Sequence, residues 1–259
     1  MPLDLRQKPA LIAYITCGDP DLATSLQVAM ACVDAGVSVI ELGVPFSDPV
    51  ADGPVIQRAT DRALRHGTSL QDVFQLARDI RKRSQVGLII FSYLNPILKF
   101  GFKSFVESCR EAGLDGALIT DLPVEEAHEY LKEMRSHELS TVFLAAPTST
   151  DRRLKQIVKA STGFVYAVSR TGVTGARQQM AEDAQKLVTR IRKFSDLPVA
   201  VGFGISTAGQ VAAVSCFADA AVVGSAIVQT IEQNPGKEAA SVAKFIQQLS
   251  AVRRQHSAI

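Results

Sequence analysis

The sequence predicts an α/β protein, a single (β/α)8 TIM barrel spanning residues 1–259, and three observations predict it. Short apolar, β-branched runs recur eight times, and amphipathic stretches alternate with them over about 250 residues. The runs are continuous rather than alternating, as expected for strands buried on both faces. The unusual residues fall after the strands, while the helix-to-strand joints are short and plain. A doubly wound open sheet would show fewer strands and an early glycine-rich turn.

Taken in order, the strands are expected at 11–16, 37–43, 87–93, 115–120, 141–145, 164–168, 198–202 and 219–224. Helices are expected at 22–35, 55–66, 70–83, 102–112, 124–137, 151–159, 182–194 and 208–216, with a last one at 237–253. The joints DAGVSVIELG, EAGLDGALITD and CFADAAVVGS each close a helix at or near a small residue and enter an apolar strand. No Gly/Ser/Pro linker or low-complexity segment divides the chain.

Composition excludes several classes of function. Hydrophobic residues make up 47% and charged residues 21%, as in ordinary globular proteins. With 28 Lys+Arg against 26 Asp+Glu the net charge is +2, which gives no support to a nucleic-acid or membrane-surface role. Cys17, Cys32, Cys109 and Cys216 form no CxxC pair and read as reduced thiols, so the chain is expected to be cytoplasmic. No apolar run approaches the ~18 residues of a membrane span, and the apolar run at the N-terminus is too short for a signal peptide.

In a barrel, all the strand-to-helix joints gather on the C-terminal face, where the active site sits. The joint that stands out is VIELGVPFSDPVADGP, residues 39–54. It places Glu41 near the end of an apolar strand, ahead of a turn holding Asp48 and Asp52. Burying an acid costs several kcal/mol unless it is paired or neutralised. A structural ion pair would explain it, and so would catalysis by one acid of raised pKa beside another kept ionised. The convergence of such joints on one face favours catalysis.

Three late joints carry glycine: SRTGVTGA, VGFGIS and VVGSAI. One glycine turn is weak evidence, but loops after the seventh and eighth strands form a recurrent phosphate site in this fold. Backbone N–H groups of Gly204, Gly224 and Ser225 would point at phosphate oxygens, and Gly175 would close over the same group. The four histidines fall on predicted helices or the C-terminal tail. No Cys/His/Asp cluster has ligand spacing, no serine sits in G-x-S-x-G, and no lysine ends a strand. Acid–base chemistry by Glu41 and Asp52 on a phosphorylated substrate remains.

The segment IELGVPFSDPVADG, residues 40–53, resembles the signature of the tryptophan synthase alpha subunit family. The resemblance extends in colinear order through TCGDP, YLNP, DLPVEE, SRTGVTGA, GFGIS and GSAIV. It implies cleavage of indole-3-glycerol phosphate to indole and glyceraldehyde 3-phosphate, with Glu41 as general acid/base and Asp52 holding the indole N–H. It further implies that Tyr166 contacts substrate near the base, and that Thr174 and Gly175 belong to a lid, with Thr174 bonding Asp52 on closure. It implies no cofactor in this chain; pyridoxal phosphate would sit only in a partner beta subunit of an alpha-beta-beta-alpha complex. The Pro45–Phe46–Ser47 turn and Asp48 would face that partner. An activator of the beta subunit with little activity of its own, and a lyase that works alone, are the competing readings.

Three features depart from the family pattern. Only about nine residues precede the first strand, where the family usually has a helix closing the barrel bottom. Phe164 stands where a tyrosine is expected, and Thr120 where a small apolar residue is usual in the indole pocket.

Overall fold

The computed structural model describes residues 3, 5, 10–168, 177–202 and 204–250. Eight parallel strands close into a barrel in sequence order. They are β1 (Ala10–Thr16), β2 (Val39–Gly43), β3 (Gly87–Ser92), β4 (Gly116–Ile119), β5 (Ser140–Ala145), β6 (Val165–Val168), β7 (Val199–Gly202) and β8 (Ala220–Val223). Each strand lies within a residue or two of its expected place.

Around them run α1 (Leu22–Asp34), α2 (Pro54–Arg65), α3 (Leu70–Arg81), α4 (Leu94–Phe100), α5 (Phe102–Glu111), α6 (His128–Ser136), α7 (Asp151–Ala160), α8 (Arg177–Ile191), α9 (Ala208–Ser215), α10 (Ser225–Gln233) and α11 (Glu238–Ser250). Local chemistry sets several of their starts. Asp21 accepts the Thr24 N–H at 2.7 Å to begin α1, and Ser69 with Asp72 forms a capping box on α3. Thr207 with Gln210 forms the same box on α9. Pro54, pre-set in φ and lacking an N–H, occupies the first turn of α2.

Two differences from expectation have physical reasons. The helix expected from 124 starts only at His128, because a turn occupies 124–126 after Pro123 and the Glu126 N–H bonds the Pro123 carbonyl at 3.0 Å. The Asn95–Pro96 joint, expected as a connecting loop, lies in helix α4. Pro96 falls in its first turn, where proline is tolerated.

Alternation along each strand divides two cores. Residues such as Leu11, Ala13, Ile40, Leu42, Leu88 and Ile90 face the helices. Ile12, Val39, Ile89, Leu118, Val142, Phe164, Ala200 and Val222 fill the barrel interior. Phe164, at the site where the family pattern has tyrosine, is fully buried in that interior layer.

The barrel bottom is closed by Leu3 and Leu5, both buried against the interior layer. A Cβ on Gly87 would lie 3.2 Å from a Leu3 methyl, and one on Gly163 would lie 2.9 Å from the other. Two missing side chains thus make the seat for one leucine. Truncating it leaves a cavity with little means of collapse. Leu3→Ala is expected to cost about 2–4 kcal/mol, measured by urea denaturation, with the circular dichroism spectrum of the native state unchanged.

Candidate active site

Glu41 sits between Ile40 and Leu42, which face the outer core, so its side chain points into the barrel. It pairs in register with Tyr14 on β1 and Ile89 on β3. The residue is fully buried, and neither carboxyl oxygen has a hydrogen-bond partner among the described residues. Desolvation disfavours the charged form and raises its pKa to about 8.

Asp52 approaches the same mouth from the loop after β2. The Tyr93 hydroxyl donates to Asp52 Oδ2 at 3.0 Å and accepts the Ala51 N–H at 2.9 Å. The Tyr93 ring, itself buried, packs on Phe46 at 5.3 Å between centroids. Partial burial raises the Asp52 pKa, and the Tyr93 hydrogen bond opposes that shift. The two acids therefore occupy different environments, one dry and unpartnered, the other held as a hydrogen-bond acceptor. From the sequence, Tyr93 is only one letter of YLNP and has no role of its own. Its partner Asp52 lies in another segment of the chain, and no local pattern signals the pair.

Tyr166 points inward from β6, next to Ala200 of β7 in register, with its hydroxyl over Gly202. A side chain at Gly202 would overlap that ring. Thr120, half-buried after β4, donates to the Ser92 carbonyl at 3.3 Å. Thr174 and Gly175 lie outside the described residues.

Gly204 has φ +60°, a conformation glycine adopts freely, and open space where a side chain would stand. Gly224 is the N-cap residue of α10, which has no side-chain cap, and Ser225 opens the helix. The first helical bonds run from the Ile227 and Val228 N–H groups to the Gly224 carbonyl. The N–H groups before them point outward from the helix start, where an anion is favoured. The neighbouring start of α9 contrasts with it: Gln210 accepts the Ser206 and Thr207 N–H groups at 2.8 and 3.1 Å. One helix start is capped by a side chain and the other is not.

A charge network fixes these pieces relative to one another. Arg62 of α2 makes a bidentate pair with buried Asp19, at 2.7 and 3.0 Å, in the loop after β1. Arg62 and Arg58 both hold Glu232 of α10, at 2.7 and 2.6 Å. The helix that follows Asp52 is thereby tied to the helix that starts at Gly224. Among the described residues, no group of three or more His, Cys, Asp or Glu is placed to hold a metal ion.

The family model described as "Tryptophan synthase alpha chain" matches residues 3–257. The chain belongs to the tryptophan synthase alpha chain family. It is 51% identical over 232 residues to the Solibacter usitatus member, covering 90% of this chain and 87% of that one. It is 45% identical over 246 residues to the Neisseria meningitidis serogroup B member, covering 94% of each. Solved structures agree in fold. Tryptophan synthase from M. tuberculosis, in an open form with BRD0059 bound, aligns with TM-score 0.87 at 35% identity, over 95% of this chain and 93% of that one. A mutant alpha-subunit from Pyrococcus furiosus aligns with TM-score 0.88 at 37% identity, over 97% of this chain and 100% of that one. The family's activity is carbon–carbon lyase cleavage of indole-3-glycerol phosphate in tryptophan biosynthesis, and this chain is an alpha chain of that kind.

Burial of Glu41 makes stability depend on pH. The unfolded carboxyl releases its proton near 4.5 and the folded one near 8, so unfolding releases a proton across that window and stability falls as pH rises through it. Glu41→Gln removes that dependence. Its stability advantage over wild type is expected to grow from near zero at pH 4.5 to on the order of 5 kcal/mol above pH 8, read from urea denaturation at several pH values. An advantage that stays constant with pH would contradict the assignment.

Proposed function

We propose that Glu41 and Asp52 carry out the alpha-chain reaction as a divided acid pair. Glu41 takes the proton of the glycerol hydroxyl at the bond to be cleaved and returns a proton to the indole carbon that leaves. A carboxyl whose pKa lies close to neutral supplies both forms, as a proton shuttle requires. Asp52 holds the indole N–H and stabilises the positive charge that develops on the ring, while Tyr93 fixes its orientation. Tyr166 contacts substrate beside Glu41. Gly204, Gly224 and Ser225 hold the phosphate through backbone N–H groups, supported by the uncapped start of α10. Thr174 and Gly175 form the lid, and Thr174 bonds Asp52 on closure. The single observation that carries this reading is the buried, unpartnered Glu41 carboxyl at the mouth of the barrel.

In this reading the chain needs no cofactor, and pyridoxal phosphate belongs to a partner beta subunit in a cytoplasmic alpha-beta-beta-alpha complex. A surface groove of about 550 Å³ supports a docking partner there. Pro45, Phe46, Leu64, Pro96 and Leu98 line it. Leu98 in this groove and Val50 in the loop that carries Asp52 are apolar yet 50% and 86% exposed. The groove borders the loop that carries Asp52, so a partner seated on it would bear directly on the acid.

The test is indole release from indole-3-glycerol phosphate by the purified protein, with and without a beta subunit. Wild type is expected to turn over slowly alone and much faster with the partner, and Glu41→Gln to be inactive in both cases with its fold intact. Near-normal turnover by that variant would remove Glu41 from the mechanism. Fast wild-type turnover unmoved by the partner would make the chain a lyase that acts alone.

A further inference from the structure

Helix α10 carries an acid at the end where an acid is least welcome. A helix presents partial negative charge at its C-terminus, where cations are favoured and carboxylates are not. α10 runs from Ser225 to Gln233 with no basic residue in its last turn, and Glu232 lies in that turn. In the proposed site the start of the same helix takes the phosphate. By charge alone, Glu232 therefore works against both its own helix and the anion at the other end.

Its contacts supply a different reason for its place. Arg58 donates to Oε1 at 2.8 Å and to Oε2 at 2.6 Å, and Arg62 donates to Oε1 at 2.7 Å. The hydrogen bonds from Arg58 and then Arg62 pull the Glu232 carboxyl down to about 2, so it stays ionised at neutral pH. An exposed ion pair adds little stability, and Arg58 is half exposed. Arg62 is better anchored, because Asp19, 1% exposed, holds it at two points. The Asp19 N–H in turn donates to the Thr16 carbonyl, at the end of β1, at 3.3 Å. A line of directed contacts thus runs from the barrel wall through Asp19 and Arg62 to Glu232. Among the described residues, the side-chain hydrogen bonds from α10 to another helix are those of Glu232. The buried Ile227, Val228 and Ile231 also pack the helix down, but apolar contact is non-directional.

We propose that Glu232 is a positioning residue for the phosphate: gripped by Arg58 and Arg62, it sets the direction of α10 so that the N–H groups at Gly224 and Ser225 converge on the anion. The proposal rests on the lyase reading, in which that helix start receives the substrate's phosphate. A nine-residue helix is about 13 Å long, so a tilt of about 5° at Glu232 moves the far end by about 1 Å. A shift of that size takes an N–H···O bond out of its working range. Charge and position differ in sign here. Loss of the Glu232 charge alone would strengthen anion binding at the helix start, whereas loss of the tie weakens it.

The test compares wild type, Glu232→Gln and Glu232→Ala as full chains. Steady-state kinetics with indole-3-glycerol phosphate, inhibition by each product separately, and thermal melts are measured for all three. Glu232→Ala is expected to raise KM and the inhibition constant of glyceraldehyde 3-phosphate by about 5- to 30-fold. It is expected to leave the inhibition constant of indole, which has no phosphate, unchanged and to melt within about 3 °C of wild type. Glu232→Gln keeps one acceptor oxygen for the arginines and is expected to fall between the two. With wild type active, a glyceraldehyde 3-phosphate constant that stays the same or falls in Glu232→Ala would overturn the role of Glu232 alone. So would a parallel weakening of indole with an early melt, because the residue would then serve the fold and not the phosphate. Wild type that releases no indole would overturn the lyase reading, and this proposal with it.

Discussion

Glu41 faces into a closed barrel with both carboxyl oxygens buried and neither hydrogen-bonded among the described residues. In water such a group would ionise below about pH 5, whereas here ionisation carries the full cost of desolvation. The fold accepts that cost because apolar layers surround the group. Ile12, Val39 and Ile89 fill the interior beneath it, and Ile40 and Leu42 of its own strand pack on the helix side. Buried inside the barrel and without a counterion among the described residues, the acid has its proton affinity set by burial rather than by one neighbour.

In the proposed reaction the surroundings divide the chemistry between the two acids. Asp52 sits on a loop, where Tyr93 can bond it and solvent can reach it, so it is the acid suited to remain anionic. The far end of this loop becomes α2, whose Arg58 and Arg62 are tied to Glu232 on α10 and, through Arg62, to Asp19. The distance between the Asp52 loop and the glycine-led start of α10 is therefore held by charged side chains on rigid helices. A substrate that carries phosphate at one end and an indole at the other needs that span held constant.

Much of the architecture is legible in the sequence because parallel strands buried on both faces are written as continuous apolar runs, and these runs mark every strand to within a residue or two. The acid loop is legible because Glu41 and Asp52 share one sequence segment. What stays hidden depends on contacts between distant segments. Tyr93 meets Asp52 from the end of the neighbouring strand, distant only in sequence, and Tyr14 needs the missing side chain of Gly43. Leu3 closes the barrel because Gly87 and Gly163 leave space for it. None of these pairs leaves a periodic trace. The helix at Leu94–Phe100 escapes notice for a local reason: Pro96 reads as a breaker until its place in the first turn is known.

The most direct test of this account is the titration of the Glu41 carboxyl itself, followed by infrared difference spectroscopy of wild type against Glu41→Gln in the free protein. A carbonyl band of a neutral acid that persists through neutral pH and gives way to carboxylate with a midpoint of about 8 is the predicted result. A band already lost below about pH 5, the range of an ordinary solvated carboxyl, would mean that the barrel does not hold this proton, and the division of labour between the two acids would have to be abandoned.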